Sequence, residues 1–336
     1  MKRNRVILLG IAVLLVFGCS VLSPDRAAAE PTVLKATGAW PQTSPFTTIY
    51  FRFFDLVKER SQGRLQIRWV GGPEYVKEKD FSTAGQAGTI DVMQTCVGYH
   101  GGRVPAAGIA DAYPLFRSYK TESAAYYETR RIVGPLLEKE LKIKPIGCTQ
   151  VFPFYLWTKE PLKSMADLKG MKIRGHGGYV PFIVKALGAT PVTTPSTEVY
   201  IALERGIIDG AVRNLPALNS FKEYELTRYG ISTPVTWATG DICISLRAWD
   251  KLSDEFQKIL LEAGKDATRQ AVDFWEKKDQ ALMGKFPQQN VVFFDLPEDE
   301  KRAFLEAVEK GANEAAHKLS PKYAESIIQA FKKTGE

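Results

Sequence analysis

The sequence predicts an α/β protein built mainly on parallel sheets. Short alternating or apolar segments take turns with stretches of helical period along most of the chain. Glycine or proline punctuates the changeovers, as such alternating units require. The third observation is size. Beyond position 29 the chain of 336 residues keeps about 307, enough for two lobes of ordinary domain size.

Thr32–Thr37 reads as a first strand, and Phe46–Ser61 as a helix with Gly63 after it. Leu65–Val70 is a second strand before the Gly71-Gly72-Pro73 turn. Asp80–Ala87 is a helix closed by Gly88, and Ile90–Thr95 a third strand. A loop-rich region with Gly98, Gly101-Gly102 and Pro105 leads to Tyr113-Pro114-Leu115-Phe116. Helix Ser123–Glu140 then feeds strand Ile143–Gln150, and the chain is expected to leave the first lobe around Val151–Pro153.

Met171–Arg174 is the next strand, and Tyr179–Leu187 a helix ended by Gly188. Thr194-Pro195 offers a capping hydroxyl followed by proline at the first helical position. That helix stops at Gly206, with strand Ile208–Val212 after it. Ile242–Leu246 reads as a return strand into the first lobe. Ser253 then caps a helix whose first turn holds Asp254 and Glu255, favourable at the positive end of the dipole. Apolar positions recur from Phe256 to Met283. Unbroken to Lys285, the helix would be ~48 Å long and is better placed along both lobes than inside one. A strand at Val291–Phe294 and helices from Glu298 and Pro321 finish the chain.

The amino terminus indicates export. Lys2, Arg3 and Arg5 precede an apolar run from Val6 to Gly18, too short to span ~30 Å of hydrocarbon but suited to a secretory signal. Ala27-Ala28-Ala29 supplies a cleavage site, predicting residues 1–29 as signal peptide and a soluble periplasmic chain from Glu30. Val16-Phe17-Gly18-Cys19 also resembles a lipobox that would place a lipid on Cys19, although Phe17 is bulky for that motif. An uncleaved membrane anchor is the remaining alternative. Residues 1–29 hold four basic side chains and one acidic, so their removal takes the net charge from +7 to about +4. The Lys and Arg residues are scattered among acids, which excludes a nucleic-acid surface as the leading reading. Cys96, Cys148 and Cys243 remain. They read as buried thiols, with Cys148–Cys243 the preferred pair if one disulfide forms.

Enzyme signatures are missing. His100, His176 and His317 are the only histidines, and no HExxH, GxSxG, phosphate loop or GxGxxG is present. No metal spacing or cofactor motif occurs, so no metal and no cofactor are expected. His176, in Gly175-His176-Gly177-Gly178, reads as a loop residue rather than a general base.

The informative block is Asp167–Asn214, a strand–helix–strand–helix–strand run with Arg174 at the carboxyl end of a strand, before a glycine-rich loop. Ligands dock at that edge of open α/β sheets, and an arginine fork grips a carboxylate through two parallel hydrogen bonds. From the residues alone, an ordinary surface arginine remains open. The runs DLKGMKIR and KALGATPV, the stretch Ser196–Leu203 and Gly206-Ile207-Ile208-Asp209-Gly210 together resemble the solute receptors of tripartite ATP-independent periplasmic (TRAP) transporters. Weaker echoes at Phe46–Gly63, Gly85–Asp91, Pro114-Leu115-Phe116 and Ala248-Trp249-Asp250 cover nearly the whole chain beyond the signal.

The resemblance implies a type II-like two-lobe clamp with hinge strands and a long helix touching both lobes. The expected division is 30–152 plus 239–280 for one lobe, and 153–238 plus 281–336 for the other. It implies a membrane partner of two subunits driven by an ion gradient, and it places Arg174 on the family's carboxylate-binding arginine. The chain also departs from the pattern. Ala211-Val212-Arg213-Asn214 stands where Gln-Glu-Asn-Pro is usual, so Arg213 occupies the position of a ligand-contacting asparagine. Phe154 stands where some members carry a second arginine. Trp237 lies on the return segment, and Tyr99 and His100 lie in a loop the family closes over its ligand. Tyr179 and Asn214 complete the candidate set. For Phe154 and Trp237, a role as core aromatics is the competing reading.

The expected function is capture of a small organic carboxylate by hinge closure, without catalysis, by a monomer whose membrane contact is the permease or a lipid on Cys19. Arg174 would hold the carboxylate, and Arg213 a second polar group or a protein acid. The aromatic departures favour a monocarboxylate with an aromatic or aliphatic body over a dicarboxylate. A signalling receptor on the same clamp and a periplasmic enzyme acting on a carboxylate are the alternatives.

Overall fold

The computed structural model describes residues 30–113 and 118–334. The signal segment 1–29 with Cys19, and Pro114-Leu115-Phe116, lie outside the described residues. The strands in chain order are β1 (Thr32–Gly38), β2 (Leu65–Gly71), β3 (Val92–Thr95), β4 (Ile143–Thr158), β5 (Lys172–Arg174), β6 (Thr190–Val192), β7 (Gly210–Arg213), β8 (Tyr229–Ile231), β9 (Thr236–Ser245) and β10 (Val292–Phe294).

Their order is β2-β1-β3-β9-β4-β7-β5-β6, with β8 on β4 and β10 on β8. Pairing is parallel at each end, among β1, β2 and β3 and among β5, β6 and β7. It is antiparallel where β4 and β9 run through the middle, so the sheet is mixed rather than mainly parallel. β4 pairs with β9 as far as Phe154↔Thr236 and changes partner at once to β7 from Tyr155↔Arg213. One unbroken 16-residue strand therefore serves both halves of a two-lobe α/β clamp. The strand, expected to end at Gln150, continues through Pro153 to Thr158. Before Tyr155, β4 has a strand on one side only, and such edges tolerate proline.

The free side of β4 is covered by the long helix Asp254–Met283, 30 residues and ~45 Å. Ser253 caps it, its Oγ accepting from the Phe256 amide at 3.3 Å. Thr268 Oγ1 accepts the Cys148 amide at 2.9 Å, and Trp275 Nε1 donates to the Thr149 carbonyl at 2.8 Å. The helix thus satisfies backbone groups that a neighbouring strand would otherwise take. Arg60 and Asp266 pair across to helix Thr48–Arg60 on the first lobe. At its other end, Leu282 packs with Tyr155, Trp157, Leu215 and Leu218 of the second lobe.

Several local expectations change. Pro105–Ala112 is a helix rather than loop, with Pro105 in the first turn where its missing N–H costs nothing. Helix Tyr119–Leu141 begins before Ser123, capped by Ser118. Pro195 is extended, with ψ 146°, so the predicted helix start moves to a 3-10 turn at Ser196–Glu198 and helix Val199–Glu204. Cys148 and Cys243, read as buried thiols and as the preferred pair only if a disulfide formed, are not bridged. Both thiols are free, because register puts Cys243 opposite Pro145 and Cys148 opposite Asp241. At the outer ends lie β2 and the three-residue β6, which carries Pro191.

Candidate functional site

β5 is short, and Ile173 anchors it in the core. Arg174 at its end is only 4% exposed. Its Nε donates to the Thr194 carbonyl at 3.2 Å, whereas Nη1 is buried with no hydrogen-bond partner. No carboxylate forms an ion pair with it among the described residues. Burial, and then the positive charge of Arg213, lower Arg174 to about 10, which still leaves it charged at neutral pH. A buried cation without a counterion is costly, and the fork geometry of its open donors matches a carboxylate.

Arg213, a candidate for a ligand group or for a protein acid, pairs with the protein. Its Nε and Nη2 donate to the two carboxylate oxygens of Glu223 at 2.7 and 2.6 Å. Nη1 donates to Ser196 Oγ at 2.7 Å, and the guanidinium lies 5.3 Å from the Phe221 ring centroid. Of the two roles the sequence left open, pairing with a protein acid is the one observed. Arg174 and Arg213 are thereby held near one another by a single segment, 194–196, that accepts from both.

Phe154, the last residue of β4 before the change of partner, packs on the His176 ring with centroids 4.3 Å apart. Phe152 continues the aromatic wall at 5.7 Å, followed by Phe46 and Trp275. His176, a loop or cleft residue by its sequence, lies in a loop with both ring nitrogens buried and without partners among the described residues. Burial first, then the charges of Arg174 and Arg213, hold the imidazole well below its usual range, in the neutral form. Its position two residues after Arg174 was the only sequence signal for it.

Trp237 is a different case. It lies opposite Pro153, one residue out of phase with Phe154, so its ring goes to the other face of the strand pair. There it meets Tyr119 edge-on at 5.0 Å, with its Nε1 unpartnered. This separates it from the Phe154 wall it was expected to extend. Tyr99, on the turn Val97–His100, is 54% exposed, and the charge of Arg174 is among those acting on its hydroxyl. His100 turns inward, 3.4 Å from Thr95 Oγ1, and is lowered by burial. Tyr179 is buried with an unpartnered hydroxyl, its ring 6.5 Å from Tyr113. Asn214 caps helix Leu215–Ser220 through Oδ1 to the Ala217 amide at 2.8 Å, which gives its side chain a structural duty.

Arg174, His176 and Phe154 therefore form one group, with the exposed Tyr99 within electrostatic range of Arg174. The sequence marks His176 only as a loop or cleft residue, and it gives no sign of Glu223, which sits 0% exposed under Arg213. Nearby on the first lobe, burial lifts the Glu78 carboxyl to about 7, although it accepts from Thr95 Oγ1 at 2.6 Å and the Cys96 amide at 3.0 Å.

The pattern of the family described as bacterial extracellular solute-binding protein, family 7, matches residues 36–319. A solute-binding protein of Chromohalobacter salexigens is 28% identical over 255 residues, 74% of either chain. A monocarboxylate 2-oxoacid-binding periplasmic protein of Nostoc is 30% identical over 231 residues, 63% of this chain and 59% of that one. Among solved structures, a TRAP periplasmic solute binding protein of Rhodobacter sphaeroides superposes with a TM-score of 0.81 at 20% identity, over 90% of this chain and 99% of that one.

Proposed function

The chain belongs to the bacterial extracellular solute-binding proteins of family 7, and from that premise we propose that it captures a small organic monocarboxylate on Arg174. The family is one of solute receptors, not enzymes, and the resemblance to TRAP receptors stands. The observation that carries the ligand reading is the buried guanidinium of Arg174, charged and without an acid to pair with. A carboxylate would supply both the counterion and the missing acceptor. Phe154 and Phe152 would cover an apolar ligand body, and the relative named for monocarboxylate 2-oxoacids supports a single carboxylate without fixing its neighbouring group.

Capture would proceed by closure of the lobes about β4 and β9, with 30–152 plus 239–280 moving against 153–238 plus 281–336. Tyr99 would approach Arg174 from the first lobe. Arg213 acts as a positioning residue, steadied by Glu223 so that segment 194–196 keeps Arg174 in place. The loaded receptor would sit in the periplasm and deliver its acid to a two-subunit TRAP permease.

The test is a thermal-shift titration of wild type and Arg174→Ala with a panel of small organic acids. A ligand that binds only the native state raises Tm, so the wild type should gain several degrees with its ligand and the variant none. Equal gains in both proteins would remove Arg174 from the site.

A further inference from the structure

His176 presents a requirement that a carboxylate cannot meet. A neutral imidazole has one N–H and one bare nitrogen. Both nitrogens of His176 are buried, and neither has a partner among the described residues. The ring cannot swing away freely, because it packs on Phe154 at 4.3 Å, and Gly175 beside it is tied back through its amide to the Val192 carbonyl at 3.1 Å. Protonation would provide two donors, but burial, and then the positive charges of Arg174 and Arg213, oppose a further charge on the ring. So the imidazole stays neutral, and whichever tautomer it adopts, one nitrogen asks for a hydrogen-bond donor. The guanidinium of Arg174, two residues away, asks for acceptors.

Resting on the carboxylate reading above, we infer that His176 is a specificity residue that selects an acid bearing a hydroxyl or amide N–H next to its carboxylate. Such a ligand gives its carboxylate oxygens to Arg174 and its O–H or N–H to the bare nitrogen of His176. A 2-oxo acid of the same skeleton offers only acceptors there and leaves that nitrogen unsatisfied. Sites built to pair a polar group reject analogues that lack it, because a buried partner is then left open.

The experiment is calorimetric titration of the full mature chain, freed of bound solute by refolding, with matched triads: lactate, pyruvate and propionate, then phenyllactate, phenylpyruvate and hydrocinnamate. The hydroxy acid should bind at least about tenfold more tightly than its oxo and unsubstituted partners. His176→Phe, which keeps the stack on Phe154, should level the three affinities, and His176→Asn, which keeps a donor and an acceptor, should retain the preference. Oxo and hydroxy acids binding wild type equally would overturn the role of His176 while leaving carboxylate capture intact. Binding of no acid in either triad would overturn both readings.

Discussion

Gly147 of β4 and Gly264 of the long helix meet backbone to backbone. A Cβ on Gly264 would lie 1.8 Å from the Ile146 carbonyl oxygen, and one on Gly147 would lie 2.7 Å from the Cα of Gly264. This close approach is what lets Thr268 and Trp275 reach the strand's backbone. Gly264→Ala should therefore push the helix off β4 and destabilise the fold by about 3 kcal/mol or more, at the upper end for overpacking. Gly284→Ala, whose nearest atoms stand 3.6 Å away, should be close to neutral. Urea midpoints of the two variants check this.

Replacing Arg174 by Met should trade binding for stability. The side chain is 4% exposed and its charge has no partner, so an apolar isostere removes an uncompensated buried cation. The ligand-free variant should melt a few degrees above ligand-free wild type, by about 1–3 kcal/mol. A lower Tm would mean that Arg174 is satisfied by the protein after all.

The Arg213–Glu223 pair should behave in the opposite way. Both side chains are almost fully buried and joined by two short hydrogen bonds. Either single change to Ala leaves one buried charge alone and should cost about 3–5 kcal/mol. The double change to Met and Leu should recover most of that loss. It should weaken ligand binding several-fold, because segment 194–196 loses its tie to Arg213 and holds Arg174 less firmly. A stable double variant that binds as tightly as wild type would show that Arg213 has no positioning role.

Stability should fall as pH rises through the weakly acidic range. Burial lifts Asp279, on the long helix, to about 7 against the hydrogen bond from Tyr119, whereas its unfolded value is ~3.9. Between these values the folded chain holds a proton that the unfolded chain has released, so stability declines from about pH 4 to about pH 7 and levels off above. The contribution is at most about 4 kcal/mol. Asp279→Asn should flatten the decline and raise Tm at pH 8. Glu78, also lifted to about 7, leaves a residual slope. Tm measured from pH 4 to 9 for both proteins settles the sign.

Much of the scaffold was legible because periodicity and capping are local. Ser253 with its acidic first turn announced the long helix, and Gly88 and Gly188 marked helix ends, both at positive φ. Elements decided by tertiary contact were not legible. The course of β4 through Pro153 depends on a helix more than a hundred residues away. The three-residue strands β6 and β8 are too short to show a period. In the site, the strand-end place of Arg174 left an ordinary surface arginine open, and only the resemblance of the surrounding block singled it out. Arg213 looked equally free, since nothing in the sequence ties it to Glu223, ten residues on. For Trp237, cleft and core were both open, and the strand phase that places it in the core is revealed only by the register against Pro153.

The sheet also has a bearing on life in a crowded envelope. Open strand edges invite pairing with a neighbouring molecule. The central strand has its free side sealed by the long helix, and β6 at one outer end is three residues long and carries Pro191, which has no amide hydrogen to offer a fourth. β2 at the other end is longer but places Arg68, an exposed charge, along its length. β10, outermost beyond β8, is likewise only three residues long, so these short or charged edges give a neighbouring strand little to pair with.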